Sequence, residues 1–180
     1  SAAATSAGLS TAPTVVRMEP EAVSAKAIRA SGAKVALVPA ESFFSSTNPN
    51  VTPSGYAQLA RKGESTVALV GYDTRLTEPS EHLADAHDPE LSYQRALADT
   101  ALIAGQPASA PRTLLLAPSA TSSLNPERTS HLLDALSAAP WVAHAPATTL
   151  LDAATAGKGT TSIIGEGGNY WVGSVKSVRA

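Results

Sequence analysis

Four apolar runs punctuate the first two thirds of the chain, and each ends close to a polar or acidic residue. They are Thr14-Val15-Val16-Arg17-Met18-Glu19, Lys34-Val35-Ala36-Leu37-Val38-Pro39-Ala40-Glu41, Thr66-Val67-Ala68-Leu69-Val70-Gly71-Tyr72-Asp73 and Thr113-Leu114-Leu115-Leu116-Ala117-Pro118-Ser119. Short continuous apolar runs without alternation suit strands buried on both faces. This predicts strands over 14–18, 34–39, 66–71 and 113–117. Between them the period changes to that of helices. Glu21–Ala30 carries Ala22, Val23, Ala27 and Ile28 at helical spacing and stops at Gly32. Asp88-Pro89-Glu90 reads as an N-cap followed by proline at the first helical position, opening a helix to about Ile103. Asn125-Pro126-Glu127 repeats that chemistry ahead of a helix to Ala138 with an apolar stripe at Leu132, Leu133 and Leu136. Shorter helices are predicted over 53–63 and 146–154, and Val142 is a candidate for a brief strand.

Strands alternating with helices predict an α/β domain with a mainly parallel sheet of four to five strands flanked by helices. Two arrangements fit: a partial, barrel-like (β/α) array, slightly preferred, and a doubly wound three-layer sandwich. The domain spans 14–156. Residues 1–13, rich in Ala, Ser and Thr, read as a flexible lead without the basic and long apolar regions of a signal peptide. Residues 157–180 turn Gly-rich and then alternate, which suits a β tail or an edge hairpin. Residues 42–50 and 74–87 read as the longest loops.

In parallel sheets ligands bind at the carboxyl ends of the strands. Glu19, Glu41 and Asp73 fall there, and Ser119 follows the fourth run. Paired carboxylates a few ångströms apart are what glycosidic hydrolysis requires, so Asp73 with Glu19 or Glu41 forms the candidate catalytic set. Phe43, Phe44, Tyr72 and His82 are candidate ligand-binding residues, supplying an apolar wall with polar tips. The stretch Glu81–Asp88 is the densest group of potential metal ligands, but its two histidines are five residues apart and do not share a helical face. No metal site and no cofactor follow from it. Ser119 and Ser122 lack the Gly-x-Ser-x-Gly elbow of a serine nucleophile, and Gly165-Glu166-Gly167-Gly168 lacks the Lys-Ser/Thr of a phosphate loop.

Composition narrows the field further. A formal net charge of -2 with scattered basic residues gives no electrostatic case for nucleic acid or an anionic membrane. Aromatic residues at 4% argue against a base-stacking platform. The absence of cysteine excludes disulfides and thiolate chemistry. No apolar run is long enough to span a membrane.

Three strings carry a resemblance: Tyr93-Gln94-Arg95-Ala96-Leu97-Ala98-Asp99-Thr100-Ala101-Leu102-Ile103-Ala104, Arg112-Thr113-Leu114-Leu115-Leu116-Ala117-Pro118, and Leu132-Leu133-Asp134-Ala135-Leu136-Ser137-Ala138-Ala139-Pro140-Trp141. From Val15 to Leu151 the pattern resembles a family of large exported actinobacterial proteins of unknown function, in a barrel-like domain distantly similar to polysaccharide deacetylases. The resemblance implies an extracellular or cell-envelope location and places this chain in the later part of a barrel. It also implies a partner such as cell-wall glycan or another envelope protein. The Asp-Asp pair and closely spaced His motif of the deacetylases are absent from this chain. Two function classes stand after this: a non-catalytic, monomeric envelope domain with a degenerate carbohydrate-enzyme-like fold that binds glycan, and a carbohydrate-active hydrolase or deacetylase using the rim carboxylates.

Overall fold

A computed structural model describes residues 14–42, 52, 55–59, 65–83, 88–107, 113–119, 121–122 and 124–156. Phe43, Phe44, the 1–13 lead and the 157–180 tail lie outside the described residues.

The predicted runs become β1 (Val15–Arg17), β2 (Val35–Pro39) and β4 (Val67–Tyr72). They join β3 (Tyr56–Leu59) in one sheet of order β1-β2-β4-β3. β1 and β4 both run parallel to β2, whereas β3 pairs antiparallel with β4. Burial follows position in the sheet. All six residues of β4 are buried and β2 is nearly so, whereas β1 at the edge leaves Val15 exposed.

Successive residues of a strand point to opposite faces, and the two central strands divide accordingly. Ala36, Val38, Val67 and Leu69 face one side, where α1 (Ala25–Ala30) adds Ala25 and Ile28. Val35, Ala68 and Val70 face the other, where α5 (Ala147–Ala156) adds Leu150 and Ala154. The result is a helix layer on each side of an open sheet. The preferred barrel-like arrangement is therefore corrected to the layered alternative. Among the described residues β1 is only three residues long and β3 runs antiparallel, so the sheet ends at two edges instead of closing.

A second, smaller core lies beside the sheet. α2 (Thr74–His82) packs against α3 (Pro89–Ala104), and α4 (Pro126–Ala138) joins them. Leu83, Ala96, Leu132 and Leu136 are its buried residues. The anticipated caps are in place: the side chains of Asp88 and Asn125 accept from the Leu91 and Arg128 amides, with proline at the head of each helix.

Five expectations need correction. The segment predicted as a helix over 53–63 contains β3, because Ala57 and Leu59 alternate with Tyr56 and Gln58 across the sheet. The supposed loop over 74–87 is helical as far as His82, capped by Asp73 and tolerating Pro79 within it. The helix over 21–30 is split into a 3-10 turn, Pro20–Ala22, and α1, which Ser24 caps. Residues 113–117 form no strand, and their ties to the rest of the molecule run largely through side chains. Val142 is not in a strand either, but packs half-buried against the smaller core.

Candidate functional site

The carboxyl ends of β1 and β4 meet at a hub built on Arg17. In an extended chain residues two apart share a side, so Arg17 and Glu19 point the same way, and the Arg17 guanidinium pairs with the Glu19 carboxylate. Its other branch reaches Glu81 on α2 at 3.3 Å. Its Nε donates to the Ala117 carbonyl. The guanidinium carbon lies 4.8 Å from the centroid of the Tyr72 ring, within range of a cation–π contact. Tyr72 is itself buried, and its hydroxyl donates to the Met18 carbonyl at 3.0 Å, tying β4 to the end of β1.

Ser119 closes the hub from the other side. Its hydroxyl donates to Glu19 at 2.8 Å and its amide donates to Glu81. Each of the two carboxylates therefore bridges Arg17 and Ser119. Nearby, Glu41 is exposed after β2 and accepts from the Thr74 hydroxyl at 2.8 Å. Asp73 is 5% exposed, and its Oδ1 accepts from the Leu76 amide at 2.9 Å as the N-cap of α2.

The electrostatics separate these carboxyls. Burial pushes Asp73 above the ordinary aspartate range, against the opposing Leu76 amide bond, and the neighbouring Glu41 charge adds to the rise. Glu19 is held below the ordinary glutamate range by its hydrogen bonds from Arg17 and Ser119. Burial, opposed by Arg17 and reinforced by Glu19, Glu41 and Glu81, lifts Tyr72 to about 12, so the phenol stays protonated. The charges of Glu19, Glu41 and Glu81 all bear on the Tyr72 phenol.

The sequence-predicted residues are thus dispersed in role. Glu19, Glu41 and Asp73 share the rim, but each already has a partner within the protein. Tyr72 lies beneath it. His82 is exposed in the last turn of α2, and no group of three or more His, Asp or Glu suited to a metal ion occurs among the described residues. Sequence reasoning missed Arg17 and Thr77, and it placed Glu81 in a metal-ligand cluster. The i, i+2 spacing of Arg17 and Glu19 was a usable signal, as was the i, i+4 spacing of Thr77 and Glu81 on one helical face. Compared with known proteins, the chain matches no family model, no curated protein and no solved structure.

Proposed function

We propose that this chain is a non-catalytic binding domain whose ligand, a glycan, sits on the rim formed by Glu19, Glu41, Thr74 and Ser119. One observation carries the reading: Asp73, the carboxyl best placed for chemistry at the end of β4, is buried and spends its Oδ1 on capping α2. The outward groups are carboxylates and hydroxyls, which suit the donors of a polyol. The resemblance to exported proteins with a degenerate carbohydrate-enzyme-like domain supports an extracellular or cell-envelope setting, with cell-wall glycan or another envelope protein as partner. Calorimetric titration with cell-wall oligosaccharides tests this. Glu41→Ala removes an exposed acceptor outside the Arg17 hub and is expected to weaken binding about tenfold, the scale of one hydrogen bond to a charged group. Equal affinity of wild type and variant removes this rim from the proposal.

A second reading has one observation in its favour. Asp73 is pushed up and Glu19 held down, the separation that an acid–base pair of a hydrolase or deacetylase requires. Release of reducing ends or acetate by wild type, abolished in Asp73→Asn, replaces the binding reading with this one.

A further inference from the structure

Residues 113–119 cross the carboxyl ends of the sheet without joining it. Among the described residues, five hydrogen bonds tie this segment to β1, α2 and the residues that follow β1 and β4. The Asp73 amide donates to the Leu115 carbonyl at 2.9 Å. The Ala117 amide donates to the Thr77 hydroxyl at 3.3 Å, and the Ala117 carbonyl accepts from Arg17. Ser119 supplies the two remaining ties, to Glu81 and Glu19. The attachment to α2 is in register. Thr77 and Glu81, four apart on a helix, are separated by a rise of about 6 Å. Ala117 and Ser119, two apart in an extended chain, span about 6.6 Å.

The two ends of this segment are held differently. Leu115 packs half-buried in the apolar cluster under α5, whereas the ties of 117–119 to β1 and α2 are polar, with the Ala117 side chain itself buried. The contact with α2 is polar on both sides, and Thr77 there is 2% exposed. Such contacts open at lower cost than a packed apolar core, and the parts of a fold that move are drawn from its less stable end.

We propose that residues 117–119 form a strap over the carboxyl ends of β1 and β4, hinged at Leu115 and locked by Arg17 through Glu19, Glu81 and the Ala117 carbonyl. Opening the strap uncovers Arg17, Tyr72 and Thr77 and draws Ser119 away from Glu19, so the closed strap is what completes the rim. Its relevance to a ligand rests on the binding reading above, but the strap itself does not, because its opening is measured with no ligand present.

The experiment is amide hydrogen exchange by NMR on the full chain, comparing Ala117 and Ser119 with Leu69 and Val70 of β4. In the wild type the two strap amides are expected to exchange at least about 100-fold faster than the core amides. Arg17→Leu keeps apolar contact with Tyr72 and removes the lock. It is expected to accelerate the strap amides by about 10- to 100-fold, the scale of a lost charge-assisted hydrogen bond, and to leave the core amides unchanged. Glu19→Ala, a change at a half-exposed side chain, gives a smaller acceleration of the same two amides. Strap amides that exchange at the core rate in the wild type overturn the proposal. So do strap amides unmoved by Arg17→Leu, and strap and core amides that accelerate together in both variants.

Discussion

Asp73 carries two demands that pull in opposite directions. As a cap it accepts the Leu76 amide, and as a buried group it resists ionisation. A carboxyl whose folded value is raised contributes stability that is fully present below the ordinary aspartate value and is lost as pH rises through the folded value. Asparagine caps about as well as aspartate and carries no charge to desolvate. Asp73→Asn is therefore expected to match wild type at pH 3 and to exceed it in denaturation midpoint at pH 7. Asp73→Ala loses the cap and falls by about 1 kcal/mol. A midpoint for Asp73→Asn below wild type at pH 7 shows that the charge is stabilising and that burial does not dominate. Glu19 has the opposite sign: its value is lowered, so its contribution is present above the ordinary glutamate value and lost as pH falls through the folded one.

At the scale of elements, legibility followed periodicity and caps. β2 and β4 were readable because an unbroken apolar run has few other homes than a central strand. The helices headed by Asp88-Pro89 and Asn125-Pro126 were readable because side-chain acceptors and proline each fit one position at a helix start. α2 was hidden because its sequence is polar and Pro79 argues against a helix. The 113–117 run was hidden for the opposite reason: it has a strand's composition, but its hydrogen bonds go largely to side chains. Leu69→Ala, at a fully buried position of β4, is expected to cost about 2–5 kcal/mol. Leu115→Ala, half-buried and outside the sheet, is expected to cost clearly less in the same urea series. Equal losses would place Leu115 in the central core. Asp88→Ala is expected to cost about 1 kcal/mol through its helix cap, and an unchanged midpoint with a loss of divalent-ion affinity would make it a ligand instead.

Across the whole molecule, the rim was located by topology and its chemistry was not. Parallel strands bring their carboxyl ends to one side, which is why Glu19, Glu41 and Asp73 share a neighbourhood. Some of the partners that meet there come from far along the chain: Ser119 lies one hundred residues from Glu19 and Glu81 sixty-four from Arg17. No local pattern reports such pairings, and they decide whether a carboxylate is free to act. Here they engage each carboxyl of the candidate catalytic set within the protein: Glu19 with Arg17 and Ser119, Glu41 with Thr74, and Asp73 with the Leu76 amide. The measurement that bears most directly on this is a single NMR titration that follows the protein amides and the anomeric signals of an added cell-wall oligosaccharide in the same sample. Shifts are expected at Glu19, Glu41, Thr74 and Ser119, with the glycan signals unchanged over time. Shifts confined to the opposite ends of the strands, or glycan signals that convert to product, would contradict it.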